Sequence, residues 1–468
     1  MNRNRTQFRF ALVPARGRDQ PGVATAMVKG LRAVDAGRMG FAMEAFTISM
    51  PAAFIHDEAA ATPVDATFEV RLQRQDPPLD PLDELILLLH TAAEIEHSLM
   101  AQYLYAAYSL PDQSPQKEWQ ETLVGIAHQE MGHLLATQNL LLSVGASLNF
   151  EREDYPFSDF YPFPFKLEPL SVASLARYVL AEMPDRSKVP EVDVDALCAE
   201  AGVDHQIPRV GALFVAIAEL IGELSSDPVF ADSLPFQAEP SDWRAGPYAL
   251  ALRKVASITE ASQLLDAIGK QGEGPDEPDE ALPSHFRRFY AMYVAAKAHV
   301  GSTGQPLSDA LPTNPTVHDP QAPGYLQQPI ARAWGAAFNT RYRILLFTLE
   351  HLLSLSNADA TRGRMRGWAF DDMKAVHDMA LLLKQRPQHE PLRNDELGRA
   401  RVAGAPFEMP QTLQMPNRPV DRWRELRNLM RFHLEQLSGL ERDDDLAGDL
   451  SADIRERLTF ISDQLEQP

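Results

Sequence analysis

Glu130-Met-Gly-His133 lies within the run from Glu118 to Val144, where apolar residues recur at helical spacing. A glutamate and a histidine three positions apart share one helix face, with their Cβ atoms about 5–6 Å apart. That face is otherwise apolar, and an unpaired charge buried there is costly. The pattern therefore predicts that Glu130 and His133 bind a metal ion, the alternative being a helix face neutralised by salt bridges. The apolar stripe contains Leu123, Ile126, Glu130, His133, Thr137, Leu140 and Val144.

The preceding run, Asp83 to Leu110, contains neither proline nor glycine. It predicts a helix of about 28 residues and about 42 Å. Its apolar stripe contains Glu96, whereas Glu94 points about 200° away around the helix. We favour Glu96 as the ligand because Tyr103 lies two turns further along the same stripe. The short link between the two runs suits an antiparallel pair. Two such helices form half of a four-helix bundle with a dinuclear carboxylate site.

The sequence around these helices resembles a ferritin-like family, the one named for iminophenyl-pyruvate dimer synthase. That family includes enzymes that couple tryptophan-derived imines in bisindole pigment and antibiotic pathways. The resemblance extends from about residue 81 to about residue 410. The matching strings are Glu94-Ile-Glu96-His, Gln102-Tyr-Leu-Tyr-Ala-Ala-Tyr-Ser109, Glu130-Met-Gly-His133, Asn139-Leu-Leu-Leu, Tyr155-Pro, Glu182-x-Pro184, Gln271-Gly-Glu-Gly274, Ser284-His-Phe286 and Ala403-Gly-Ala-Pro-Phe407.

The second half of the bundle lacks a second Glu-x-x-His motif. A fourth long helix is predicted from Tyr248 to Lys270, and it is followed by Glu273 and then by His285. Because the resemblance includes both strings, it implies that Glu273 and His285 replace the missing motif as metal ligands. In the alternative interpretation the glycines beside Glu273 only end a helix, and Ser284 only caps the next one.

A third helix would supply a further ligand. That helix is predicted from Pro208 to Glu223, and its carboxylates are Glu219 and Glu223. Glu219 shares a face with small alanines that would leave room for a ligand, and we choose it. Glu223 is the alternative on the same helix, and Glu182, at the end of a helix predicted over Leu170–Met183, is a third option. The predicted metal ligands are Glu96, Glu130, His133, Glu273, His285 and Glu219.

Composition excludes several classes of protein. The chain has 468 residues, enough for two or three domains, and 45% of them are hydrophobic. It contains neither a run of about 18 uncharged apolar residues nor the apolar stretch of a secretory signal. The single cysteine, Cys198, excludes an internal disulfide and a four-cysteine metal site. We therefore expect a cytoplasmic protein without a membrane segment. A net charge of −21 argues against nucleic acid and anionic membranes as partners.

Three regions are predicted along a mainly α chain. Residues 1–80 form an N-terminal segment with short strands at Glu44–Met50 and Ala66–Leu72. Residues 81–300 form the ferritin-like four-helix bundle with the metal site. Residues 301–468 form a C-terminal helical appendage. Its predicted helices are Pro329–Leu355, Arg364–Lys384 and Val420–Leu437.

The function expected from these observations is a metal-dependent oxidoreductase. Mixed carboxylate and imidazole ligands suit iron or manganese, and the site is either dinuclear or mononuclear. The resemblance implies a small amino-acid-derived or aromatic substrate from specialised metabolism, and it leaves haem open as a cofactor. The aromatic stretch Tyr155–Phe165 either lines a substrate pocket or packs outside the bundle. The oligomeric state, a homodimer included, stays open. The alternative function is a non-catalytic metal-binding or structural protein.

Overall fold

The computed structural model describes most of the chain. The described residues are 11–14, 24–32, 42–50, 79–152, 165–203, 210–224, 230–243, 250–274, 283–409, 415–442 and 444–466. The chain divides into two compact units, Met1–Phe68 and Glu69–Pro468. Helices on both sides of residue 300 therefore belong to the larger unit, and the division into three regions stays a prediction.

The smaller unit contains a three-stranded antiparallel sheet in the order β1-β2-β3. Strand β1 is Ala11–Pro14, β2 is Ala24–Arg32 and β3 is Ala42–Met50. Strand β3 contains the predicted strand Glu44–Met50. The other predicted strand, Ala66–Leu72, lies outside the described residues.

Two long helices, α1 (Pro81–Ser109) and α2 (Gln116–Ser143), pack along one another at the start of the larger unit. Helix α1 begins at Pro81. Proline suits this position because the N–H group of the first helical residue has no acceptor within the helix, so its loss costs nothing. The N-cap of α1, Asp80, accepts a hydrogen bond from the Leu82 N–H at 3.0 Å. Both helices agree with the predicted ones to within two residues at each end.

The bundle is completed by α5 (Val210–Glu223) and α7 (Ile258–Glu273). Helix α5 contacts α1 and α7, and α7 also contacts α2, so the four helices enclose a common core. The predicted start of α7 at Tyr248 is wrong. Residues 250–257 are not helical, because the Ser257 hydroxyl caps the helix by accepting from the Glu260 N–H at 3.2 Å.

Shorter helices cover one end of the bundle. They are α3 (Val172–Ala181), α4 (Val194–Ala201), α6 (Phe230–Ser233) and α8 (His285–Thr303). Ser171 and Ser174 form a reciprocal capping box at the start of α3. Helices α3 and α8 pack together, and α8 also contacts α2 and α7. These contacts bring the end of α3 and the start of α8 to the bundle.

The C-terminal helices are α9 (Pro329–Leu353), α10 (Ala360–Lys384), α11 (Pro419–Leu440) and α12 (Asp445–Glu466). Helix α9 packs against α10 and α11, and α11 packs against α12. Three of these helices are the predicted ones, whereas α12, like α4 and α6 earlier in the chain, was not predicted. Among the described residues, no helix combines the length and the apolar character needed to cross a bilayer.

Candidate metal centre

Glu130 and His133 face the interior of the bundle from α2. Their side chains are 1% and 2% exposed, in agreement with the helical pattern. The His133 Nδ1 atom lies 2.9 Å from Glu130 Oε2. The carboxylate and the imidazole are therefore close enough to share one ion.

The second oxygen of Glu130 faces a different histidine. His285, the first residue of α8, is fully buried, and its Nδ1 atom lies 2.8 Å from Glu130 Oε1. This short contact does not have the alignment of a hydrogen bond, and neither atom has another hydrogen-bond partner. The two ring centres are 5.4 Å apart. Glu130 therefore lies between two imidazoles and presents one oxygen to each. Ser284 caps α8 by accepting from the Arg287 N–H at 3.4 Å, so its capping role and the placement of His285 are compatible.

Glu96 joins the cluster from α1. Its side chain is 1% exposed, and its Oε2 atom lies 3.4 Å from His133 Nδ1. This oxygen also lacks a hydrogen bond. Glu94 points away from the cluster, where Asn149 Nδ2 donates to its carboxylate at 3.4 Å. The structure thus brings Glu96, rather than Glu94, to the candidate centre.

Glu182 occupies the place that the sequence analysis gave to Glu219. It follows the last residue of α3, is 4% exposed, and its Oε2 atom lies 3.7 Å from His285 Nδ1. Its Oε1 atom accepts a hydrogen bond from the Tyr103 hydroxyl at 2.6 Å. Glu219 is exposed on α5 and does not reach the cluster. Glu182 was one of the options from the sequence, and it lies in the Glu182-x-Pro184 string of the resemblance.

Glu273 lies beside the cluster but caps a neighbouring helix. Its Oε1 atom accepts a hydrogen bond from the Gly211 N–H at 2.7 Å, near the start of α5. A Cβ atom at position 211 would overlap this carboxylate, so the close approach requires glycine. The carboxylate therefore joins the end of α7 to the start of α5. Its predicted role as a metal ligand stays a prediction.

A small cleft of about 20 Å³, with room for about one water molecule, adjoins the cluster. Its lining combines carboxylates and His133 with apolar side chains. The aromatic stretch Tyr155–Phe165, which we expected near this site, lies outside the described residues except for Phe165. The described residues that line the cleft are Glu96, Leu99, Glu130, His133, Glu182, Val210, Gly211, Phe214, Ile268, Gly269, Gly272 and Glu273.

Electrostatic coupling within the cluster is strong because every member is buried. Burial, together with the charge of Glu130, raises the pKa of Glu96 well above its usual value despite the attraction of His133. Burial also opposes ionisation of Glu130, but the imidazoles of His285 and His133 hold its pKa well below the usual value. Burial disfavours the His133 cation, yet Glu130 and Glu96 raise its pKa well above normal. The cluster therefore favours positive charge at its centre.

Convergence of these atoms matches the requirements of a metal ion. Glu130, His133 and His285 each offer one ligand atom, all within 4.8 Å of one another. Two ligand atoms that each lie about 2.1 Å from an ion at right angles are about 3 Å apart. The contacts of Glu130 with the two imidazoles have this spacing. The buried oxygens and nitrogen without hydrogen bonds would gain a partner from the ion.

Comparison with known proteins gives one family and two curated relatives. A sequence model described as ferritin-like matches residues 89–294. The chain is 26% identical over 390 residues to dichlorochromopyrrolate synthase of Lentzea aerocolonigenes, covering 72% of this chain and 37% of that protein. It is 26% identical over 394 residues to 2-imino-3-(indol-3-yl)propanoate dimerase of Chromobacterium violaceum, covering 73% and 36% respectively. The chain thus spans little more than a third of either relative.

Among solved structures, a ferritin-like protein from Caulobacter vibrioides is similar, with a TM-score of 0.42 and 18% identity. The alignment covers 65% of this chain and 97% of that one.

Proposed function

We propose that this chain, which matches a ferritin-like sequence model over residues 89–294, is an oxidoreductase with a dinuclear metal centre, and that Glu130 would offer one oxygen to each ion. Glu96 and His133 would complete the ligands of one ion, and Glu182 and His285 those of the other. The observation that carries the proposal is the position of Glu130, whose two oxygens lie 2.9 Å and 2.8 Å from the Nδ1 atoms of two different histidines.

Iron is the metal that we propose, with manganese as the second choice. The donors are carboxylate oxygens and imidazole nitrogens, without a thiolate, and such sets suit these ions. Carboxylate-rich pairs of ions are also typical of four-helix bundles of this kind. Haem iron is held by one or two axial ligands, whereas here carboxylates flank both imidazoles, so haem is not part of the proposal.

When bound, iron would supply oxidation chemistry with dioxygen or peroxide as the oxidant. The residues of the chain would hold the ligands in place and limit the access of water. Glu96, Glu130 and His133 are each at most 2% exposed. Leu99, Phe214 and Ile268 also line the cleft and would offer an apolar surface to the substrate. Such a surface, facing a few fixed polar groups, is typical of small-molecule sites.

The proposed substrate is a small, amino-acid-derived aromatic metabolite, and the proposed setting is specialised metabolism. This choice rests on the names of the two relatives, which describe a synthase of a chromopyrrolate and a dimerase of an indolyl imino acid. The apolar side chains beside the cluster would contact the indole ring of an aryl imino acid, and the imino-acid end would face the ions.

Elemental analysis of the purified chain and of two variants tests the proposal. Glu130→Gln removes the charge that both ions share, so we expect two iron or manganese ions per chain in the wild type and fewer than one in this variant. Glu219→Gln is the matched control, since this side chain is exposed on α5, and it should bind the same amount of metal as the wild type.

Oxygen uptake with aryl imino acids, generated from aromatic amino acids, then tests for activity. Uptake that depends on the substrate and on Glu130 would support the oxidoreductase. Metal bound without uptake or substrate loss would favour the alternative, a non-catalytic metal-binding protein. Equal metal content in wild type and Glu130→Gln would contradict the site itself.

A further inference from the structure

The two histidines of the candidate centre make matching contacts through both ring nitrogens. Each Nδ1 atom faces carboxylates, and each Nε2 atom faces the side-chain oxygen of a glutamine. His133 Nε2 lies 3.0 Å from Gln271 Oε1, and His285 Nε2 lies 3.2 Å from Gln129 Oε1. The glutamines come from different helices, α7 and α2, so the two matching histidine–glutamine contacts do not arise from one local sequence motif.

These contacts determine which nitrogen carries the hydrogen. A neutral imidazole has one N–H donor and one acceptor nitrogen. An amide oxygen can only accept, so each Nε2 atom is the donor. When an ion occupies the centre, each Nδ1 atom would give up its proton and offer its lone pair to the ion. This is the form of histidine that binds a metal through Nδ1.

Arg288 fixes the orientation of the Gln129 amide. Its guanidinium group also donates a hydrogen bond to Gln129 Oε1. Because arginine has donors and no acceptor, a rotated amide would place its own NH2 group against the guanidinium. The oxygen of Gln129 is therefore held towards both Arg288 and His285. The orientation of this amide has a cause independent of the histidine.

We propose that Gln129 and Gln271 are positioning residues that set the tautomers of His285 and His133, and so present both Nδ1 atoms to the metal centre. The inference rests on the proposed function. Partners of metal-binding histidines are often carboxylates. Here Glu96, Glu130 and Glu182 already bring three carboxyl groups to a buried site, and a neutral amide orients the ring without adding a fourth.

Titration with Mn²⁺, followed by the electron paramagnetic resonance signal of the free ion, tests this role without measuring activity. Gln129→Met and Gln271→Met keep the approximate size of the side chain and remove the acceptor. Loss of such an outer partner weakens metal binding by about 10- to 100-fold, and we expect this range for each variant. Gln138→Met is the matched control, because Gln138 is equally buried on α2 and hydrogen-bonds to Asn149 instead.

Gln129→Glu and Gln271→Glu provide the second test. A carboxylate keeps the acceptor and makes the imidazole more basic, so these variants should bind Mn²⁺ more tightly than the wild type. If the methionine variants fail to fold, the Mn²⁺ affinity of the glutamate variants still tests the positioning role. Weaker binding by the glutamate variants, or unchanged binding by folded methionine variants, would overturn the positioning role. A wild-type chain that binds no Mn²⁺ would instead overturn the proposed function.

Discussion

Tyr103 links the packing of α1 to the position of one carboxylate. Its hydroxyl donates to Glu182 Oε1 at 2.6 Å, and its ring packs against Tyr178 and Phe289 at centroid distances of 5.0 Å and 4.8 Å. Glu182 follows the end of a short helix, so it depends on contacts from other elements for its orientation. The tyrosine hydroxyl is one such contact.

We predict that Tyr103→Phe keeps the fold and weakens the binding of the ion next to Glu182 and His285. The ring remains in place, but the hydrogen bond to a charged group is lost, and an outer contact of this kind is worth about 10-fold in metal affinity. Mn²⁺ titration should show one site like the wild type and one weaker site.

Tyr105→Phe is the control for this prediction. Tyr105 is also fully buried on α1. Its hydroxyl donates to the Pro312 carbonyl oxygen and not to a carboxylate of the cluster. It should leave Mn²⁺ binding unchanged. Two unaltered sites in Tyr103→Phe would show that the hydroxyl does not hold Glu182.

Residues of the cluster differ in how well the sequence predicts them. Glu96, Glu130 and His133 lie on long helices, where a polar residue in an apolar stripe must face the core. Glu182 and His285 lie at helix ends, where periodicity gives no direction. The resemblance supplied His285, but the choice of Glu219 over Glu182 used helical spacing alone. Gln129 gave no signal, because its role depends on α8 packing against α2.

At the scale of elements, α5 and α7 are joined through a single carboxylate. Glu273 at the end of α7 accepts from the Gly211 N–H at 2.7 Å, as an N-cap residue would, but from a different helix. Both Glu273 and Gly211 line the cleft. The join therefore fixes one edge of the proposed substrate site.

We predict that Gly211→Ala is less stable than Gly222→Ala by about 1–2 kcal/mol, the contribution of a capping hydrogen bond. Both changes add a methyl group to α5 and gain helix propensity. Only at position 211 does the new Cβ atom overlap the Glu273 carboxylate, since it meets nothing within 4 Å at position 222. Urea unfolding of the two variants measures the difference, and equal free energies of unfolding would contradict the cap.

Helix ends show where the sequence was sufficient and where it was not. The start of α1 agrees with its prediction because a proline and an aspartate cap mark it. The start of α7 was placed too early, at Tyr248, although Ser257 and Glu260 form a local cap signal. The apolar residues before Ser257, such as Val255, are buried in extended chain rather than in a helix. A buried helix and a buried non-helical segment are both rich in apolar residues, so apolar content alone does not tell them apart.

At the scale of the whole larger unit, buried charges join the C-terminal helices. Asp372 of α10 is fully buried between Arg341 of α9 and Arg457 of α12, at 2.7 Å from each guanidinium. Asp453 also pairs with both arginines. Breaking one member of such a buried set would leave another charge without compensation. These ion pairs connect three helices, α9, α10 and α12. The periodicity of apolar residues does not predict such contacts between helices.

Three buried histidines make the stability of this unit depend on pH. Burial lowers the pKa values of His97, His351 and His433 to about 3, with nearby arginines adding to the effect. The unfolded chain therefore binds protons below about pH 6.5 that the folded chain does not. Their contribution to stability is present above that pH and is lost as the pH falls towards 3. Glu350 acts in the opposite sense, because burial raises its pKa to about 7.

Replacing one of these histidines isolates its share of the pH dependence. We predict that His351→Leu makes the free energy of unfolding fall less steeply on acidification, by up to about 1.4 kcal/mol per pH unit. The leucine cannot bind a proton, and it keeps the apolar contact with Trp423, whose ring centre lies 4.3 Å from the imidazole. Urea unfolding from pH 6.5 to pH 4.5 measures the slope. Thr348→Val, a buried change on the same helix, should shift stability and leave the slope unchanged. A wild-type slope in His351→Leu would mean that the imidazole takes up its proton equally in the folded and unfolded chain.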